Sequence, residues 1–259
     1  MHNAVEKSTV SSGLIHPWRW RAQPAACCDC NFRGLGEIMD KGSAIRFWDV
    51  ALAHMSDVSP EGLAAARATD PETFKTLKKR QFLREYCFVV YASGFKYRTV
   101  KDRFPLLRKA FCDFDLDRLS RKRSIANVLD VFANERKARN FLAGAKLISE
   151  EGYKSFKQRL EAVGPSVLQE LPGIGPITES HLAKNIGLAD VAKPDIWLDR
   201  AARTFRAASV SEFVEFLHNH SGETRNVVDV VIWAAGRDGL LPWKSMEEAP
   251  DAGRCRVKG

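Results

Sequence analysis

From Ser43 onward, apolar residues recur every three or four positions, the spacing that gathers them on one face of an α-helix. Ala44-Ile45-Arg46-Phe47-Trp48-Asp49-Val50-Ala51-Leu52 opens the pattern as an amphipathic segment. Pro60 and Pro71 stand where helices begin, because a proline in the first turn gives up only an N–H that has no partner there. The longest periodic run predicts a helix over 72–93, with Phe82, Leu83, Tyr86, Val89 and Val90 on its buried face and Gly94 as its stop. Phe95-Lys96-Tyr97-Arg98-Thr99-Val100 restarts the pattern, and helices follow over 104–111, 115–119, 125–132, 136–149, 154–163 and 166–170. The later segments 176–186, 199–207, 211–220 and 224–235 read the same way. No stretch shows the clear two-residue alternation of a half-buried strand. The predicted fold class is all-α.

Residues 1–40 do not join this pattern. They mix Ser, Pro, Ala and Gly without periodicity and read as an extension or loop. Trp18-Arg19-Trp20-Arg21 interleaves aromatic and basic residues, which either touch nucleic acid or pack back on their own domain. Cys27, Cys28 and Cys30, with His16, offer a partial set of metal ligands, but no second pair follows at zinc-finger spacing, so no metal centre is predicted there. Residues 246–259 read as a basic tail.

Composition narrows the partners. The chain has 259 residues, enough for one bilobed domain or two small ones, with ordinary apolar (45%) and charged (28%) contents. No apolar run approaches the roughly 18 residues of a membrane span, and the N-terminus lacks the apolar stretch of a signal peptide. No membrane association is predicted. Six cysteines in a chain of this size suggest a reducing compartment rather than a disulfide framework. The net charge of +8 favours an anionic partner, most commonly nucleic acid.

The candidate chemistry lies late in the chain. Leu171-Pro172-Gly173-Ile174-Gly175-Pro176-Ile177-Thr178 reads as a tight turn between two helices. Gly173 and Gly175 permit positive φ and leave backbone N–H groups bare, and Pro176 suits the first position of the next helix. Amides beside a helix N-terminus form a phosphate seat that holds a nucleic-acid backbone without reading its sequence. Asp195 follows in Lys193-Pro194-Asp195-Ile196-Trp197-Leu198. By itself it is a good N-cap for a helix starting near Ile196.

The hairpin and the Asp at this spacing resemble the helix–hairpin–helix DNA glycosylase superfamily, closely over residues 169–203 and more loosely over 75–245. The resemblance implies a two-lobed fold with the hairpin beside an interlobe cleft. One helical lobe would combine 41–75 with 191–245 and carry the Asp loop; the other would span 76–190 and end in the hairpin. It implies duplex DNA as partner, no cofactor, and a monomer, cytoplasmic and nucleoid-associated in a bacterium or nuclear in a eukaryote. Asp195 takes the place of the carboxylate that stabilises positive charge on the sugar and aids an attacking water. Gly173, Ile174, Gly175, Thr178, Lys184 and Lys193 would hold the DNA backbone, and the carbonyls of Leu171 and Ile174 are a candidate seat for a monovalent cation. Phe95, Lys96, Tyr97 and Trp197, with Trp48 more distant, are candidates for the base pocket or for insertion into the duplex. Lys96, Arg98, Lys101, Arg103 and Lys137 are further candidates for phosphate contacts, and His181 is expected at the surface or in packing.

Two departures place the chain within that resemblance. Bifunctional members carry a nucleophilic lysine where this chain has Ile177, which cannot attack as an amine. Other members carry a four-cysteine iron–sulfur loop after the catalytic helices, a region where this chain has only Cys255. The resemblance is therefore to the monofunctional branch without the cluster, acting on an alkylated purine or a modified pyrimidine in repair or in removal of modified bases from foreign DNA. The alternatives are a non-catalytic hairpin module that binds DNA, and a glycosylase/lyase that uses Lys193.

Overall fold

The structure is a computed structural model that describes residues 38–241. The tetrad Trp18–Arg21, the cysteines 27, 28 and 30 with His16, Cys255 and the basic tail lie outside the described residues. The described residues form thirteen α-helices and two 3-10 turns and contain no strand, so the fold is all-α.

The chain begins with α1 (Lys41–Val58) and α2 (Pro60–Arg67). The segment predicted as one helix over 72–93 is two, α3 (Pro71–Thr76) and α4 (Lys79–Ala92), because Leu77 and Lys78 turn extended between them. Asp70 caps α3 by accepting the Thr73 amide at 2.9 Å, and Pro71 opens it. Then come α5 (Tyr97–Ala110), α6 (Leu116–Arg121), α7 (Ala126–Leu129), α8 (Glu135–Glu151) and α9 (Tyr153–Val163). The two segments expected from 95 and from 104 form the single helix α5, which starts at Tyr97 and has Pro105 inside it. Residues 165–170 form a 3-10 turn rather than an α-helix. The remainder is α10 (Pro176–Asn185), α11 (Ile196–Thr204), α12 (Val210–Ser221) and α13 (Arg225–Arg237).

Two apolar cores organise these helices. The first gathers α3 to α10 and is rich in aromatic rings: Phe82, Tyr86, Phe111, Phe114, Phe141 and Phe156 are all fully buried in it. Phe111 and Phe141 pack edge to face at 4.7 Å, and Phe82 and Phe156 at 5.3 Å. The second gathers α1, α2 and α11 to α13 around Val227, Val228, Val231, Ile232, Leu217 and small alanines, with Phe205 stacked on Phe213. Trp48 belongs to this second core and is only 2% exposed, so it cannot line a base pocket. Its amphipathic helix turns the indole inward, as the apolar face demands.

The chain crosses between the cores twice, after α2 and again over 187–195. The two crossings touch. Gly187 has φ +72°, and a β-carbon there would stand 2.2 Å from the Asp70 carbonyl oxygen, so both its conformation and its contact require glycine.

Candidate active site at the seam between the cores

The hairpin is built largely from backbone geometry. Leu171 and Ile174 are buried in the first core, and the Ile174 N–H donates to the Leu171 carbonyl at 3.0 Å, closing the turn on one of the two carbonyls considered for a cation. Gly173 adopts φ +90°, whereas Gly175 is extended at φ −120°, so only the first glycine uses the left-handed freedom expected of both. The Gly175 amide is also not bare, since it donates to Thr178 Oγ1 at 2.7 Å. The amides of Gly173, Ile177 and Thr178 make no hydrogen bond among the described residues, so three donors remain around the start of α10. Tyr86 fixes the turn from beneath, its hydroxyl donating to the Pro172 carbonyl at 2.7 Å. Ile177 is 52% exposed on the first turn of α10.

Lys184 departs from expectation. Leu182 and Ala183 of α10 pack into the first core, and Lys184 beside them is 5% exposed rather than turned toward phosphate. Its ammonium lies 3.3 Å from Asp229 Oδ2 and donates to Asn226 Oδ1 at 3.1 Å. Both partners are on α13 and equally buried. Asn226 donates in turn to the Ala66 carbonyl at 3.1 Å, and its amide reaches Asp190 Oδ1 at 3.1 Å. A buried charge needs a partner and further hydrogen bonds, and this cluster supplies them across the seam. Lys137 is a second correction. It is 7% exposed and caps the C-terminal end of α4, donating to the carbonyls of Val90 at 2.5 Å and Ser93 at 2.7 Å. Burial, with Arg136 adding repulsion, pushes its ammonium down to about 8.

Asp229 also reaches the acidic loop. Its Oδ2 accepts the backbone N–H of Lys193 at 2.7 Å. Two residues on, Asp195 caps α11, its Oδ1 accepting the amides of Trp197 at 2.9 Å and Leu198 at 3.3 Å. The Lys193 ammonium sits 2.9 Å from Asp195 Oδ2, with both side chains less than one-fifth exposed, so Lys193 is turned toward the carboxylate rather than outward to a phosphate. The Trp197 ring is held against α13 at Gly236, where a β-carbon would stand 2.4 Å from it, and Arg200 lies over its face at 5.4 Å.

Aromatic rings line the same seam. His181, on α10, is half-buried, and its imidazole is pushed well below its usual range, first by burial and then by the charges of Lys193 and Lys184. It is therefore neutral beside two cations. His181 meets Phe88 at 6.5 Å, Phe88 meets Tyr97 at 5.9 Å, and Tyr97 meets Trp233 of α13 at 5.0 Å, each edge to face. This row runs from the first core to the second. Arg237 lies over the Trp233 ring at 4.8 Å. Tyr97 and Phe95 stay partly exposed at 38% and 41%, with Phe95 leaning on Phe132 at 4.9 Å. Lys96, Arg98, Lys101 and Arg103 are exposed on and before α5; Arg98 pairs with Asp102 at 3.6 Å, and Lys101 lies 5.8 Å from the Tyr97 ring.

Phe88, Trp233, Asp229 and Asn226 were not singled out from the sequence. The two rings sit at ordinary core spacing and carry no local mark. Asp229 did carry one: a lone carboxylate inside Val227-Val228-Asp229-Val230-Val231 must be paired if that helix is buried.

Among the described residues, no group of three or more His, Cys, Asp or Glu side chains could hold a metal ion. No protein-family model matches the sequence, and no curated protein matches it either. The fold does match solved structures. The Methanocaldococcus jannaschii 8-oxoguanine DNA glycosylase superposes with a TM-score of 0.52 at 16% identity, over 76% of this chain and 94% of that one. The 8-oxoguanine glycosylase/lyase of the same organism, in complex with a 15mer DNA containing 8-oxoguanine, superposes with a TM-score of 0.50 at 17% identity, over 74% of this chain and 97% of that one. The all-α fold of these solved structures is thus the fold of this chain.

Proposed function

We propose that this protein is a DNA glycosylase that hydrolyses the N-glycosidic bond of a base flipped out of duplex DNA and leaves an abasic site. The observation that carries the reading is Asp195. A carboxylate fixed by two backbone amides stands at a seam lined by aromatic rings, one hairpin helix away from unpaired amides. Breaking the glycosidic bond places positive charge on the sugar, and a fixed carboxylate stabilises that charge and orients a water. The amides of Gly173, Ile177 and Thr178 would hold backbone phosphates near the start of α10. Leu171 and Ile174 carbonyls are the candidate cation seat there.

The base would stack against the row of His181, Phe88, Tyr97 and Trp233, with Phe95, Lys96 and Trp197 at its margins. Flat aromatic faces favour an electron-poor ring, such as an alkylated purine or a modified pyrimidine. A neutral imidazole at His181 adds a hydrogen-bonding edge without a further positive charge. The substrate belongs to repair or to removal of modified bases from foreign DNA, and the protein acts as a monomer. The direct test is mass spectrometry of free bases released from alkylated, deaminated, oxidised and cytosine-modified duplexes. Release from none of them would reduce the protein to a hairpin module that binds DNA.

Hydrolysis by water is the first mechanism, because Ile177 offers no amine on the hairpin helix. One observation favours a second. The Lys193 Nζ lies 2.9 Å from Asp195, and a structural neighbour is named a glycosylase/lyase. Attack by an amine forms a Schiff base that borohydride traps. With water as nucleophile no adduct forms and strand cleavage requires alkali. An adduct lost in Lys193→Ala would make Lys193 the nucleophile.

A further inference from the structure

A charged concavity lies at the other end of α4 and α5. The two helices are joined by the short turn at 93–96, so they run antiparallel from the Tyr97–Trp233 contact outward. Phe88 meets Phe104 at 5.3 Å, and about one turn further out Arg84 and Arg108 line one cavity. At 1.5 Å of rise per residue, Arg108 lies about 16 Å along α5 from Tyr97. The cavity has a volume of about 690 Å³, and Lys78, Arg80 and Arg118 complete its basic lining. It continues through Cys112 and Arg118 into a smaller hollow flanked by Arg121 and Lys122.

The charges inside are unevenly committed. Asp113 is paired with Arg108 at 2.9 Å, and Asp115 accepts the Arg118 amide at 3.0 Å as the cap of α6. Arg84 pairs with Glu85 at 2.9 Å. The side chains of Lys78, Arg80 and Arg118 form no ion pair among the described residues.

The wall of the cavity is the unusual part. Cys112, Asp113 and Phe114 all line it, and all three have positive φ, between +54° and +59°, with no glycine among them. Such residues are strained and collect at ligand clamps and active sites. Phe111, just before them, is at φ −94°, ψ 34°, outside the right-handed helical region, so the chain leaves α5 there and turns left-handed at Cys112. The turn closes through the Phe114 amide on the Phe111 carbonyl at 3.0 Å and the Asp115 amide on the Cys112 carbonyl at 3.1 Å. The amides of Cys112 and Asp113 make no hydrogen bond among the described residues.

We propose that this cavity is a phosphate-binding site, with the Cys112 and Asp113 amides cradling one phosphate and Lys78, Arg80 and Arg118 holding its neighbours. Its ligand carries adjacent phosphate groups, either as the backbone of a nucleic acid or as a free polyphosphate. The site does not depend on base excision, since it lies at the opposite end of the helix pair from Asp195 and its aromatic row.

The test is amide NMR on the full chain titrated with inorganic pyrophosphate. The expected result is saturable shifts of the Cys112 and Asp113 amides, lost in the double variant Arg80→Gln/Arg118→Gln. Both arginines are exposed, and a matching melting curve establishes that the variant is folded. A second arm identifies the source by comparing duplexes of about 10 and about 30 base pairs: if DNA reaches the site, the variant lowers the salt slope of the longer duplex by about two and leaves the shorter one unchanged. Pyrophosphate shifts with an unchanged slope would identify a free polyphosphate instead and still support the site. Unmoved amides together with an unchanged slope would overturn it.

Discussion

The hairpin at 171–178 and the acidic loop at 193–198 lie at the same seam but are held in opposite ways. The hairpin is local: its turn closes on its own backbone, Thr178 returns to Gly175, and one hydroxyl from α4 steadies it. The acidic loop depends on α13, more than thirty residues further along, because Asp229 holds the Lys193 amide. Asp229 also neutralises Lys184 from the hairpin's own helix. One buried carboxylate thus ties the hairpin to the element with the proposed catalytic group. The hairpin owes its shape to conformation, and the loop owes its place to charge.

The sharpest way to break this contrast is Asp229→Ala. It leaves Lys184 buried without a counter-charge and frees the acidic loop, and a loss of about 3–5 kcal/mol is expected in urea unfolding. The double variant Lys184→Met/Asp229→Leu removes both charges and should regain most of that stability, while the Lys193 amide still lacks its acceptor. Base release that stays low in the stable double variant would separate the loop's placement from the fold's stability; full release would show that Asp229 serves packing alone.

Asp195→Asn is next in size. Asparagine caps a helix as well as aspartate, so the melting temperature should barely move. Base release should fall at least about a hundredfold, the scale of removing a preorganised stabiliser of transition-state charge. Full activity in this variant would remove Asp195 from the chemistry.

On the hairpin side, Gly173→Ala should cost about 1–2 kcal/mol, because alanine must adopt φ +90°. Its β-carbon would also press on Asn140 Nδ2 at 3.2 Å and Val90 Cγ2 at 3.3 Å. DNA affinity should weaken with it on every sequence alike, measurable by fluorescence anisotropy. An unchanged affinity would mean that the turn does not face the backbone.

The smallest expected effect concerns His181. Its imidazole is depressed in the folded state, so the unfolded chain binds a proton first as pH falls below the ordinary value of 6.5. Stability should therefore decline as pH drops from about 6.5 toward the lower folded value. In His181→Phe that part of the decline should vanish in melts taken between neutral and mildly acidic pH. An identical slope in both proteins would place the titration elsewhere.

The same contrast explains what could be read in advance. The hairpin was legible because its requirements are sequence-local: two glycines, a proline at the helix start and a threonine three residues after Gly175. The all-α class followed from periodicity. Lys184 was misplaced because a lysine near a DNA-binding hairpin looks like a surface cation until α13 is folded against it. Trp48 was misplaced for the related reason that an aromatic residue gives no sign of which core it will enter. Gly175 was assigned a freedom it does not use, since composition shows where positive φ is permitted and not where it occurs. The break at Leu77–Lys78 escaped because its apolar spacing continues across two helices separated by two extended residues.

The double crossing between the cores has a consequence for synthesis. Among the described helices α1 and α2 emerge from the ribosome ahead of the rest, yet the helices that cover their apolar faces, α11 to α13, emerge after all the others. The whole first core, 74–186, is complete in the interval. About 130 residues separate the end of α2 from the start of α11, on the order of ten seconds at about 5–20 residues per second. During that time Trp48, Met55 and Leu63 have no permanent neighbours from the C-terminal helices. The nascent chain therefore carries an open apolar surface on α1 and α2 until α11 to α13 emerge and close it.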